Sequence, residues 1–183
     1  MRIISGNFKG KKLFLPNDKN TRPLKDMVKE SIFNLIHHSK KINISLENSL
    51  ILDLFSGTGS FGIECISRGA KKVIFFENYP QALNILEKNL KSLKKVDNFE
   101  IYKEDFFNSN KKLLEKFDLI FVDPPYKEKR INEIIKNILE NKLLKPNGVV
   151  VIHRHKKDDI PITEKLNIIE ERNYGISKIL FGS

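Results

Sequence analysis

Two short stretches of the chain carry side chains able to do chemistry. Asp123-Pro124-Pro125-Tyr126 follows the apolar run FDLIFV, and residues 52–62 read LDLFSGTGSFG. In the first, consecutive prolines fix φ at two positions and withhold two N–H donors, so a rigid backbone carbonyl stands beside a carboxylate. These acceptors together can take both hydrogens of an exocyclic –NH₂. Such a grip turns the nitrogen toward sp³ and frees its lone pair for attack on an electrophilic carbon. Tyr126 offers a flat face for a base to stack on, a contact worth roughly 1–3 kcal/mol. A base inside a helix could not reach such a site, so the target is single-stranded or flipped. Asp123, Pro124, Pro125 and Tyr126 are the expected catalytic group.

The second stretch holds Gly57, Gly59 and Gly62 at the spacing G-x-G-x-x-G, shared by dinucleotide-binding turns and by ordinary tight turns. In a dinucleotide fold the first glycine comes directly after the strand, and the following helix meets a pyrophosphate. Here Asp53 and Phe55 intervene, giving D-x-F-x-G-x-G. A carboxylate at the turn repels a pyrophosphate and suits a ligand with a cationic part, such as the ammonium and sulfonium of S-adenosylmethionine. Glu77-Asn78 closes a second apolar run, where Glu77 can accept from ribose hydroxyls; that feature alone would serve NAD equally. Asp105-Phe106 closes a third, with a carboxylate for the adenine amine and a ring beside it. Asp53, Phe55, Gly57, Gly59, Glu77, Asn78, Asp105 and Phe106 are therefore expected to hold S-adenosylmethionine. A nicotinamide oxidoreductase would leave Asp53, Asp105 and the DPPY stretch without work.

These residues need a scaffold that brings distant loops together. From Ile44 onward β-rich runs alternate with helical ones: SLILDLF, SFGIECISRG, KKVIFFE, PQALNILEKNLKSL, FEIYKED, FDLIFVDPP, INEIIKNILENKLL and PNGVVVIHRH. A short helix is expected around Lys111–Glu115. LNIIEERNYGISKILFGS reads as two strands joined across residues 173–175. Strands separated by helices predict a mostly parallel sheet covered on both faces, with the terminal hairpin as an antiparallel edge. Ligands in such sheets bind beyond the carboxyl ends of the strands. Every acidic cluster named above lies at such an end. Ahead of the sheet, a hairpin turning through NFKGKK precedes a helix from Lys25 to His38, with Pro23 just before it. The expected organisation is an extension over residues 1–40 and a catalytic domain over residues 41–183.

The chain has 183 residues, 40% hydrophobic and 31% charged, which suits a folded globular domain. Its apolar runs are strand-sized, too short to span a bilayer, and the N-terminus lacks a secretory signal. A single cysteine, Cys65, excludes an internal disulfide framework and offers no metal-ligand spacing; it is expected in the core. A cytoplasmic, monomeric protein without metal or membrane is the plain expectation. Lysine and arginine exceed the acids by 33 to 23, a net charge of +10 that favours a polyanion partner. Lys9, Lys11 and Lys12 in the hairpin, with Arg22 and Tyr126, are the expected RNA contacts. His37-His38 closes a helix and complements its dipole.

The motifs together resemble the bacterial 16S rRNA guanine-N2 methyltransferase (RsmD) family over nearly the whole length. RIISGNFKGKKL, TRPLKDMVKESIFNLI, LDLFSGTGSFGIECISRGA, VIFFEN, FDLIFVDPPY and YGISKILF carry the resemblance. The TRP…VKESIFN segment is the most telling, because the other two motifs are shared by many amino-group methyltransferases. The resemblance implies an α/β, Rossmann-like class I S-adenosylmethionine-dependent methyltransferase with a seven-stranded sheet. It also implies methylation of one guanine N2 in 16S rRNA, within an assembling small ribosomal subunit. Adenine N6 in RNA or DNA is the alternative acceptor, since DPPY serves either amine. Two positions depart from the family pattern. Leu24-Lys25 follows Arg22-Pro23 where relatives carry threonine, and His153-Arg154-His155 ends the fifth strand where many carry an acid. Both histidines are read as surface or RNA-facing residues.

Overall fold

The computed structural model describes residues 1–17, 24–109, 113–158, 162 and 165–183. Arg22 and Pro23 lie outside them, as do Lys111 and Lys112 of the expected short helix. Seven strands form one sheet: β1 Leu50–Leu54, β2 Lys72–Phe76, β3 Phe99–Tyr102, β4 Phe117–Val122, β5 Leu144–His155, β6 Ile168–Tyr174 and β7 Ser177–Gly182. Their order is β3-β2-β1-β4-β5-β7-β6. The first five are parallel; β7 runs antiparallel between β5 and β6. The terminal hairpin is therefore present, but β6 forms the edge and the antiparallel strand lies one place inside it. Local sequence pattern specifies a hairpin without saying which arm docks on β5.

Helices α1 Asp26–His38, α2 Ser60–Ser67, α3 Pro80–Lys91 and α4 Ile131–Glu140 cover the sheet. Strand alternation divides the core in two. Ile51, Val73, Phe75, Leu119, Phe121, Val151 and Ile179 face one side with residues of α1, α2 and α3. Leu52, Leu54, Ile74, Ile120, Val122, Ile152 and Leu180 face the other, under Ile131, Ile134, Ile135 and Ile138 of α4. Each such side chain contributes about 1.5–3 kcal/mol on burial.

Three local expectations shift. Leu113–Glu115 is not helical; among its described residues the connection from β3 instead contains a 3₁₀ turn, Phe106–Asn108. Helix α4 stops at Glu140, and β5 starts at Leu144, before Pro146-Asn147-Gly148. Pairing of β4 with β5 changes register between Phe117 and Leu119, which accommodates that polar stretch.

The N-terminal hairpin is a loop closed by one bridge, Arg2 with Lys12, and not a ladder. What holds it is α2. Gly6, at φ +79°, lies so close to α2 that a Cβ there would meet the Ser67 carbonyl oxygen at 1.8 Å, so only glycine fits. The Ile4 and Ser5 N–H groups donate to the Glu64 carboxylate at 2.7 and 2.9 Å. Ile3 and Leu13 join the same core as α1 and the sheet.

Candidate active site

The chain order sends β1 to β2 and β3 on one side, then β4 and β5 on the other, so β1 and β4 flank the switch point. This is where ligands bind in open α/β sheets. Asp53 pairs with Phe121 and Leu54 with Val122, which sets the β1 turn directly beside Asp123. A cavity of about 590 Å³ opens there. Asp53, Phe55, Gly57, Glu77, Asn78, Asp123, Pro124, Pro125 and Tyr126 all line it. Both motifs thus share one crevice.

The glycine turn is wound tightly. Phe55, Gly57 and Gly59 have φ of 58°, 56° and 78°, three left-handed residues at alternate positions. For Phe55 that conformation costs about 1–2 kcal/mol, a strain of the kind that collects at functional turns. Ser56 pins the turn: its hydroxyl donates toward the Asp53 and Phe76 carbonyls at 2.7 and 3.0 Å. Gly62 does not line the cavity; it lets α2 approach Phe75, where a Cβ would come within 2.3 Å of the ring. A stack of Phe61 on Phe121, 3.9 Å between centroids, underlies the cavity wall.

Asp53 is buried, and its Oδ2 accepts the Gly62 N–H at 2.9 Å. Burial pushes its carboxyl well above the ordinary range, opposed by the Gly62 bond and reinforced by the charges of Asp123 and Glu77. Among the described residues no cationic side chain pairs with it. Glu77 is held by backbone: Gly57 N–H donates to one oxygen at 2.7 Å, Asn78 and Tyr79 N–H to the other at 2.9 and 2.8 Å. A carboxylate has about four acceptor positions, so one remains for a ligand hydroxyl.

Gly59, Asp105 and Phe106 are not among the cavity residues. Asp105 caps the 3₁₀ turn by accepting the Phe107 N–H at 3.0 Å, and Phe106 packs edge-on against Phe76. Of the hairpin lysines, Lys9 and Lys12 are exposed, while Lys11 donates to the Ser92 carbonyl. Cys65 is buried in the core and His37-His38 closes α1, as expected.

The histidines of β5 are the main correction. His153 is only 3% exposed, and its Nδ1 lies 2.8 Å from Asp123 Oδ1. Its Nε2 lies 2.9 Å from Ser177 Oγ. His155 is half-buried, its ring 5.0 Å edge-on from Tyr126. Neither is a free surface residue. Register explains this: Val122 pairs with Ile152, so the next residue of each strand, Asp123 and His153, stand side by side.

Sequence reasoning also missed a buried ion pair beside the site. Lys29 Nζ is 3.6 Å from Glu64 and donates to Ser60, a cavity residue, at 3.1 Å. A signal existed: Lys29 stands three, four and seven places before Ile32, Phe33 and Ile36, on the apolar stripe of α1.

A family model described as Conserved hypothetical protein 95 matches residues 1–183. Ribosomal RNA small subunit methyltransferase D of Haemophilus influenzae is 34% identical over 96% of this chain and 90% of its own. That of Buchnera aphidicola is 36% identical over 93% and 86%. The chain belongs to the RsmD family. The solved structure of yhhF from Escherichia coli superposes with a TM-score of 0.82, covering 100% of this chain and 96% of that one at 24% identity. Its likeness carries the fold: a Rossmann-like class I methyltransferase sheet, as the resemblance implied. Among the described residues no helix is long and apolar enough to cross a membrane, and no acid, His or Cys cluster forms a metal site.

Proposed function

We propose that the chain transfers a methyl group from S-adenosylmethionine to the exocyclic N2 of a guanine in 16S rRNA. The observation that carries this reading is the meeting of Asp53, Glu77 and the DPPY stretch in one cavity. The cavity fits the cofactor by its chemistry. A buried carboxyl without a cation partner, flanked by two more acids, favours a positively charged ligand over a pyrophosphate. The free acceptor position on Glu77 suits a ribose hydroxyl.

S-adenosylmethionine supplies a methyl carbon activated by a sulfonium. The chain's residues do the rest by alignment and charge stabilisation. Asp123 Oδ2, which has no protein partner among the described residues, and the carbonyl in the Pro124-Pro125 pair accept the two amine hydrogens. Tyr126 stacks on the base. As the new N–C bond forms and the methyl's S–C bond breaks, its electron pair leaving with the neutral thioether of S-adenosylhomocysteine, the nitrogen becomes cationic beside the Asp123 carboxylate. That carboxylate then takes the surplus proton and passes it to water. Lys9 and Lys12 are free to meet RNA phosphates, within an assembling small subunit; Asp105, Phe106 and Arg22 complete the proposed contacts to adenine and RNA.

The test is nucleoside mass spectrometry of small ribosomal particles, and of naked 16S rRNA, incubated with the protein and labelled cofactor. Labelled N2-methylguanosine is expected, and more from particles than from naked RNA. Labelled N6-methyladenosine alone would overturn the assignment of the base.

A further inference from the structure

The geometry points to a positioning residue for Asp123: His153, seated on Ser177, holds the carboxylate so that one oxygen faces the substrate amine. This rests on the reading of Asp123 given above. An aspartate's terminal torsion is broad and roughly two-fold, so a carboxylate at a cavity mouth swivels unless something holds it. The strand end and prolines fix the backbone of Asp123, but they do not fix that torsion.

His153 does. Its ring, buried between β4 and β7, bonds Asp123 Oδ1 through Nδ1 at 2.8 Å and Ser177 Oγ through Nε2 at 2.9 Å. An ionised carboxylate only accepts, so Nδ1 carries a proton and donates to it. In the neutral ring Nε2 then accepts from the Ser177 hydroxyl, which is itself buried. With both nitrogens engaged the ring cannot flip. Oδ1 is occupied from behind, leaving Oδ2 for the cavity. Ser177 reaches His153 from a diagonal position, since β7 pairs Ile179 with His153 and Ser177 with His155. The device spans three strands, and neither His153 nor Ser177 is otherwise used for cofactor or base.

The experiment compares His153→Leu, His153→Asn and Asp123→Ala in steady-state methylation of small ribosomal particles, with cofactor affinity measured by calorimetry. Leucine removes both ring bonds, whereas asparagine places an N–H donor near Nδ1. His153→Leu is expected to lower kcat roughly ten- to hundred-fold, the scale for misplacing a reacting group. KM for RNA and cofactor affinity should stay within about two-fold, and His153→Asn should recover most of the loss. If Asp123→Ala is inactive while His153→Leu keeps full kcat, the positioning role is overturned and the Asp123 reading stands. If Asp123→Ala itself stays active, both fall. Equal losses in the Leu and Asn variants also reject the role, because the donor would then be irrelevant. Should His153→Leu not fold, ¹⁵N NMR of the histidine-labelled wild-type protein decides. A neutral His153 with its proton on Nδ1 supports the device, and one with the proton on Nε2 overturns it.

Discussion

Asp53 and Asp123 end neighbouring strands and line the same cavity, yet their surroundings differ. Asp53 is 1% exposed, its carboxylate accepts only the Gly62 N–H among the described residues, and its carboxyl is pushed well above the ordinary range. Asp123 is 16% exposed at its side chain and braced by an imidazole. The first environment makes a negative charge costly until a fixed cation arrives. The second holds a carboxylate oriented and near water. One suits a ligand that arrives already charged, the other a charge that appears only during reaction. The lesson is that a residue's type nominates it, and its neighbours assign the task.

The sharpest way to break this comparison is Asp123→Ala. Turnover should fall by about 10²–10⁴, the usual range for a lost acid–base or charge-stabilising group, with cofactor affinity nearly unchanged. A large loss of cofactor affinity instead would erase the distinction between the two acids. Asp53→Asn should show the reverse: cofactor affinity lower by about ten- to hundred-fold, or roughly 1.4–2.8 kcal/mol, with kcat at saturation little altered. Calorimetry and saturating-cofactor kinetics measure the two parts.

Protons sharpen the contrast further. Because the folded Asp53 carboxyl is raised, it binds a proton more readily than in the unfolded chain. The stability it lends is full below the ordinary carboxyl range and is lost as pH rises through its folded value. Asp53→Asn should flatten that decline, seen as Tm against pH. Cofactor binding should favour the ionised form and release a proton wherever the free protein holds one. Calorimetry in buffers of different ionisation enthalpy would show the release in the wild type and its absence in Asp53→Asn.

The smallest effect is expected far from both acids. Lys9→Gln with Lys12→Gln should raise KM for RNA a few-fold and reduce the salt slope of binding by about one per lysine. Neither kcat nor cofactor affinity should move, which makes this pair a control for the other variants.

Much of this was legible from residue order alone. Strand–helix alternation and acids at strand ends placed the cavity, because both follow from short-range periodicity. Tertiary register was not legible. His153 in HRH reads as a polar strand end, and its partners Asp123 and Ser177 become visible only when β4, β5 and β7 are aligned. Asp105 is a local case instead: its capping bond to Phe107, two residues on, draws one oxygen away from the expected ligand. Lys29 escaped for another reason: in a helical pattern a lysine is assigned to solvent unless a buried acid is known to face it.

Glu64 has a consequence for how this protein can be altered. Both carboxylate oxygens are saturated by the backbone of Ile4 and Ser5, by Arg68, and by the nearby Lys29 ammonium. Trimming the opening residues would take two charge-assisted N–H bonds from Glu64, about 1.5–3 kcal/mol each, and leave its carboxylate to Arg68 and Lys29 alone. Exchanging this arm between relatives would therefore demand that the helix receiving it be exchanged in the same graft.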